Sequence, residues 1–297
     1  MTLSRRQMLQ AAGAAALLGS APLGRLIADD KKATKRLLFF TKSSGFEHSV
    51  IKRDGDKLSH AEQILTSIGK EHGIEVVCSK DGRLFDPDQI GQWDAFAFET
   101  TGDLTKPGND KNPPMSADGE KALYDAVQGG KAFLGMHCAT DTFGHHRGQG
   151  ADDPYIQMIG AEFISHGAQQ TARIDVADPK FPGVARFGDS FEILDEWYAL
   201  KHFQDDMHVI LIQNTKDMDK SKNNKVYDRP NFPETWARMH GKGRVFYTSM
   251  GHREDVWSNA KYQGLLIGAL LWATGTIDAD VTPNITKVTP GYNEYPK

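Results

Sequence analysis

The sequence predicts an α/β fold: a doubly wound, mostly parallel sheet with helices on both faces. Three observations carry this. Short continuous apolar runs of strand length recur through the first half of the chain. Between them lie segments with helix start and stop signals. Polar, histidine-bearing stretches fall directly after the apolar runs, where open parallel sheets bind ligands.

The elements follow in order. Lys35 to Thr41 (KRLLFFT) is apolar throughout, as suits a strand buried on both faces. Lys42 to His48 is a polar loop. Ser59-His60-Ala61-Glu62 is a capping box, Ile64, Leu65 and Ile68 form the apolar stripe of the helix it opens, and Gly73 ends that helix. Ile74 to Cys78 is a second strand. Asp86-Pro87 has the form of a short helix start, with Pro at the first position. Trp93 to Thr100 is a third strand. A Gly/Pro/Asn/Lys loop, Asp103 to Pro114, leads to a helix capped by Ser116 and closed by Gly129-Gly130. Lys131 to Met136 is a fourth strand, and the βαβαβ rhythm implies right-handed crossovers. The second half is less regular. Ala172 to Val176 and Met207 to Gln213 read as strands. Thr235 to Met239 and Arg244 to Ser249 flank Gly241-Lys242-Gly243 as a hairpin. Asn259 to Ala273 is a long apolar helix ending at Gly275.

Ahead of this domain, Ser4-Arg5-Arg6-Gln7-Met8-Leu9-Gln10 reads as a twin-arginine n-region. An apolar run from Ala11 to Leu18 follows, too short to anchor in a bilayer. The expected organisation is a twin-arginine signal peptide over 1–28, one domain over 36–275 and a C-terminal tail over 276–297. The expected location is periplasmic or otherwise extracytoplasmic. Removing Arg5, Arg6 and Arg25 takes the formal charge from −4 to −7. A net-acidic domain without a Lys/Arg cluster argues against a nucleic-acid partner. No later apolar run reaches membrane-spanning length, so no integral membrane segment is expected after signal removal. No G-x-G-x-x-G follows a strand, which speaks against NAD, and no phosphate-cradling loop or flavin site is expected. The two cysteines, Cys78 and Cys138, make no disulfide framework.

Three loops at the expected carboxyl edge collect the polar chemistry. The first holds Phe46, Glu47 and His48. The second, after the fourth strand, runs from His137 and Cys138 to Asp141, Thr142 and Phe143. The third holds Gly251, His252 and Arg253, and it shares the edge if the strand RVFYTSM is parallel to the first four. Asp195-Glu196, beside Trp197 and Tyr198, is a second cluster, and His166 follows another apolar stretch. Histidine gives and takes protons near neutrality, and a neighbouring carboxylate fixes its tautomer. Three histidines with a carboxylate also suit a divalent metal such as zinc, although no H-E-x-x-H signature is present. Cys138 offers a rival nucleophile, but the glycine spacing of a nucleophile elbow is absent, and His137 fits the apex of the turn better.

Together, KAFLGMHCATDTF, SGFEH, ILDEWY and GKGRVFYTSMGHREDVW resemble the ThuA-like family, named for trehalose utilisation, in the family's order and from about Arg36 to Gly275. The resemblance implies a flavodoxin-like three-layer sandwich related to class I glutamine amidotransferases. His137 stands where amidotransferases carry cysteine, so glutaminase chemistry is not implied. The resemblance further implies handling of glycosides, in particular 3-keto sugars made by a partner sugar oxidoreductase. Position by position it marks His48, His137, Asp141, Asp195, Glu196 and His252, and His166 beside them.

The expected function is therefore an exported protein acting on glycosides or keto-sugars as a lyase or hydrolase. His137, His252, Asp195 and Glu196 are the expected catalytic groups. His48, Asp141, Thr142, Tyr198 and Trp257 are expected to bind substrate, with Trp197 as a further stacking candidate. His137, His166 and His252 are the expected ligands of any metal. The alternatives are a non-catalytic sugar-binding module for a partner sugar oxidoreductase, and a cysteine hydrolase using Cys138.

Overall fold

The computed structural model describes residues 34–108 and 110–295. The expected signal peptide lies outside the described residues. Strand β1 (Lys35–Phe40) is buried on both faces, as its unbroken apolar run demands. Leu37 and Phe39 enter one core, and Leu38 and Phe40 enter the other. Helix α1 (His60–Glu71) opens on the expected capping box. The Ser59 hydroxyl accepts from the Glu62 N–H, and the Glu62 carboxylate accepts from the Ser59 N–H. That carboxylate is buried and also accepts from the Thr41 hydroxyl at 2.7 Å and from the Arg53 guanidinium at 2.8 Å, so one side chain caps the helix and ties it to β1. Strand β2 (Ile74–Ser79) follows.

The helix expected at Asp86-Pro87 does not form. Two 3-10 turns, Gly82–Phe85 and Ile90–Gln92, stand on either side of it. A carboxyl oxygen of Asp86 accepts from the Ser116 hydroxyl at 2.6 Å instead of capping. Strand β3 (Ala95–Phe98) leads to α2 (Ala117–Gln128), capped by Ser116, and to β4 (Ala132–Met136). After β4 come the short α3 (Gly144–Arg147) and α4 (Pro154–Ile159), then β5 (Glu162–His166), β6 (Gln170–Val176), β7 (Ser190–Asp195), β8 (Tyr198–Lys201) and β9 (His208–Gln213). The expected hairpin is present as β10 (Phe232–His240) and β11 (Gly243–Thr248). Two helices, α5 (Glu254–Trp257) and α6 (Ala260–Ala273), and the short α7 (Ile285–Val288) complete the described chain.

The nine-stranded sheet has the order β2-β1-β3-β4-β11-β10-β9-β6-β7. Pairing is parallel from β2 through β11 and antiparallel from β11 to β7, so the sheet is mixed. The late strand β11 is parallel to β4, with Thr248 opposite Met136. A separate two-stranded sheet pairs β5 with β8. Helices α1 and α6 cover one face of the large sheet, and α2 and α4 cover the other. The segment after α6 is packed against the body: the Asn284 side chain bonds both backbone groups of Val209, and the Arg229 guanidinium donates to the Tyr292 carbonyl. Among the described residues, no helix is long and apolar enough to cross a membrane.

Candidate functional site

The parallel half of the sheet brings the ends of β1, β4 and β11 to one edge. His137 is the first residue after β4 and takes φ 37°, in the left-handed region that costs a non-glycine residue about 1–3 kcal/mol. Its surroundings fix that turn. Its carbonyl accepts from the Tyr247 hydroxyl at 2.6 Å, and its Nδ1 donates to the Ser249 carbonyl at 2.8 Å. A carbonyl only accepts, so Nδ1 carries the proton and Nε2 keeps its lone pair. Ser249 is held in turn by Glu234, a fully buried carboxylate that accepts from the Ser249 hydroxyl and the Met250 N–H, both at 3.0 Å.

His48 enters from the loop after β1, at the head of the 3-10 turn Ser49–Ile51. His252 enters from the loop after β11. There Gly251 has φ 123°, and a Cβ at that position would meet the Tyr262 hydroxyl at 2.7 Å. The three imidazoles stand edge to face, with ring centres 5.0 to 5.1 Å apart. Glu196 completes the group from the junction of β7 and β8. Its Oε2 lies 3.1 Å from His252 Nδ1 and 3.6 Å from His137 Nε2, and its Oε1 lies 3.2 Å from His166 Nδ1. Burial works against the Glu196 charge, but the adjoining His137 and His252 imidazoles hold its carboxyl well below the usual range. Burial first, and then His137 and His252, push the His48 imidazole down to about 2. His48 is therefore neutral at working pH, and its buried Nδ1 has no hydrogen-bond partner.

One ligand atom from each of His48, His137, Glu196 and His252 lies within 4.8 Å of the others. Three imidazoles and one carboxylate are a donor set that suits zinc and similar divalent ions. The orphaned His48 Nδ1 is consistent with such use, because a neutral imidazole is the ligating form. The four side chains thus fit a divalent metal, but the set differs from the expected His137, His166 and His252. His166 sits beyond Glu196 on β5, at the rim, and contacts the cluster through the shared carboxylate; His48 and Glu196 take its place.

A cavity of about 360 Å³ opens above the cluster. Phe46, Phe163 and Tyr198 supply its aromatic lining, and His48, His166, Glu196, His252 and Asp141 its polar lining. Other expected site residues lie elsewhere. Thr142 is buried and donates to the Thr100 carbonyl at 2.7 Å, pinning the turn after β4 to β3. Trp257 is fully enclosed and donates to the Gly251 carbonyl at 2.9 Å, beneath the loop rather than in the cavity. Trp197 is likewise enclosed and donates to the Gln170 carbonyl. Asp195 does not line the cavity. Its two oxygens accept from the Gly251 and Glu196 N–H groups at 2.8 and 2.9 Å, joining the end of β7 to the His252 loop. Asp141 reaches the cavity but also holds His146 at 3.0 Å, which raises that imidazole's pKa. Cys138 is fully buried, and burial drives its thiol well above the ordinary value, the reverse of what a nucleophile needs.

Sequence reasoning missed Tyr247, Ser249 and Glu234, which orient His137, and Phe163, which lines the cavity. A glutamate inside the otherwise apolar run FPETWA was the one available signal for Glu234.

The family model for ThuA, trehalose utilisation, matches residues 36–273. The chain belongs to the ThuA family. Two solved ThuA-like proteins share its fold. One, from Bacteroides uniformis, is 17% identical with a TM-score of 0.62, over 90% of this chain and 98% of its own. The other, from Parabacteroides merdae, is 14% identical with a TM-score of 0.60, over 86% and 96%. A cytoplasmic protein from Salmonella typhimurium aligns at 12% identity and a TM-score of 0.50, over 80% and 98%. No curated protein matches the sequence.

Proposed function

We propose that this ThuA-family chain is a carbohydrate-active enzyme that cleaves glycosides whose sugar ring carries a keto group. The observation that carries the reading is the gathering of three imidazoles and one carboxylate from four separate segments at the floor of a small aromatic-walled cavity. At about 360 Å³ the cavity is at the small end of ligand sites, suited to one sugar ring at a time.

The side chains divide the work by environment. His137 is wholly enclosed, so it organises the floor rather than meeting substrate. His166 Nδ1 faces the Gly167 carbonyl at 3.0 Å and Glu196 at 3.2 Å, both acceptors, which leaves Nε2 as a lone pair on a partly exposed ring. His166 is therefore the base in this proposal. A 3-keto group acidifies the C2–H bond. His166 takes that proton, the electron pair passes into the C3 carbonyl as an enolate, and its return forms the C1–C2 double bond as the C1–O bond breaks. The departing oxygen takes its proton from His252, which Glu196 orients. A divalent ion held by His48, His137, Glu196 and His252 would occupy the His252 lone pair, so in the loaded protein the ion would supply Lewis-acid polarisation of the keto oxygen and water, rather than His252, the proton for the departing oxygen. The substrate must be made by dehydrogenation, so a sugar oxidoreductase is the partner in this scheme. The twin-arginine reading of residues 1–28 places the reaction outside the cytoplasm.

The test is turnover of a 3-keto-glucoside together with elemental analysis of untagged protein purified without chelator. The expected result is turnover in the wild type, with about one equivalent of divalent metal that Glu196→Gln loses along with activity. Wild-type protein that binds glucosides yet releases no product over days would replace the enzyme with a sugar-binding module.

A further inference from the structure

Phe46 is 69% exposed at the mouth of the cavity, the most exposed large apolar side chain among the described residues, whereas the other aromatic lining residues, Phe163 and Tyr198, are half-buried and buried. A lone exposed phenylalanine on a loose surface loop would need no explanation. This one is not on a loose loop. The Ser44 and Gly45 N–H groups both donate to the Thr101 carbonyl, at 2.9 and 3.2 Å, and the Thr101 hydroxyl donates back to the Phe46 carbonyl at 2.7 Å. Gly102 makes the contact between the loops close: a Cβ there would lie 2.5 Å from the Gly45 nitrogen. Three hydrogen bonds and a glycine contact thus hold an apolar ring out into solvent, two residues from His48, with its ring centre 5.1 Å from that imidazole.

We propose that Phe46 is the substrate platform of this site, a specificity-determining residue that receives the C–H face of a pyranose ring, with Tyr198 and Phe163 completing the aromatic lining. This rests on the carbohydrate reading above and names the face of the sugar that the site receives. Sugars with equatorial hydroxyls present axial C–H bonds to an aromatic face and turn their oxygens outward. Here those oxygens meet His48, His166, Asp141 and Glu196. A face that carries an axial hydroxyl would turn that oxygen into the Phe46 ring and cost its hydrogen bond, so the ring is received by the face that carries only C–H bonds.

The experiment uses the full mature chain with two probes, methyl 3-keto-glucoside for kinetics and methyl glucoside for saturation-transfer NMR. Phe46→Ala removes an exposed side chain, so folding is retained, as circular dichroism will check. It is expected to raise KM about tenfold, as burying part of a phenylalanine predicts, with kcat within about twofold. It is also expected to abolish saturation transfer to the ring C–H protons, and Phe46→Trp is expected to restore both. Phe46→Ala with unchanged KM and unchanged transfer, in a protein that still turns over the keto-glucoside, overturns the platform and leaves the enzymatic reading standing. Wild-type protein that neither binds methyl glucoside nor turns over the keto-glucoside overturns the carbohydrate reading, and the platform with it.

Discussion

Replacing Glu99 by glutamine should stabilise the protein, and increasingly so as pH rises. Glu99 directly follows β3, is wholly buried, and neither of its carboxyl oxygens has a hydrogen-bond partner. The Trp257 indole, which would lower its pKa, donates to the Gly251 carbonyl. Burial, and then the nearby Asp195 charge, push the Glu99 carboxyl well above its ordinary range. The folded protein therefore holds a proton that the unfolded chain releases above about pH 4.3. A raised folded-state pKa contributes stability that is full below the unfolded value and is lost as pH climbs toward the folded value. Within that window the loss is about 1.4 kcal/mol per pH unit. Glutamine has nearly the same shape and no titration. Glu99→Gln should match the wild type near pH 4.5 and pull ahead by about 1.4 kcal/mol for each pH unit up to the folded-state value. In a domain of this size each such unit corresponds to a gain of roughly 3–5 °C in Tm. Urea unfolding at pH 5, 6, 7 and 8 reads the effect directly. Stability curves that stay parallel across this range would refute the reasoning, because they would mean that Glu99 is ionised, and so paired, in the folded state.

Two further substitutions separate positioning from chemistry. Asp195→Asn leaves one buried N–H of Gly251 or Glu196 facing an amide donor, which costs about 1–3 kcal/mol; denaturation should show that loss, and kcat should fall more than KM rises, because the His252 loop and Glu196 lose their common anchor. Cys138→Ser should lose about 1–3 kcal/mol of stability by burying a hydroxyl, yet keep kcat at saturating keto-glucoside, and a loss of kcat beyond tenfold would return Cys138 to the chemistry.

The parallel half of the fold was legible because its strands are buried on both faces and read as unbroken apolar runs. Its helices begin at Ser59 and Ser116, whose caps need only local residues. The histidine loops were legible for the same reason: once β1, β4 and β11 are known to be parallel, their carboxyl ends must share an edge. The second half hid more. FEILDEWYAL looks like a single strand, but the chain leaves the large sheet after Asp195 and joins β5 at Tyr198. Strand periodicity carries no mark for a change of sheet. That break is why Glu196 faces the cluster while Trp197 is buried. The place of Trp257 outside the cavity was not legible, because residue type alone does not tell an aromatic that stacks on a ligand from one that fills the space beneath a loop, nor was that of Thr142, because it does not tell a hydroxyl that meets a ligand from one that closes a turn. Asp86-Pro87 failed because its capping carboxyl was taken by Ser116, thirty positions away.

The adjacent acids Asp195 and Glu196 show how the mixed sheet makes the site. A parallel sheet edge alone would deliver His48, His137 and His252, three imidazoles that repel one another when protonated. The antiparallel extension adds the carboxylate, and it does so by giving the two acids different tasks. Asp195, the last residue of β7, is saturated by two backbone N–H groups and its pKa is raised, with burial the largest cause. Glu196, one residue on and at the break between sheets, meets three imidazoles and keeps its negative charge. Had the chain continued straight, alternation along the strand would have sent Glu196 to the opposite face from Asp195. The turn between β7 and β8 lets Asp195 anchor the His252 loop while Glu196 neutralises the cluster that loop completes. The site is thus a joint product of the two kinds of strand pairing, with the parallel half supplying three imidazoles and the antiparallel half the carboxylate that holds them together.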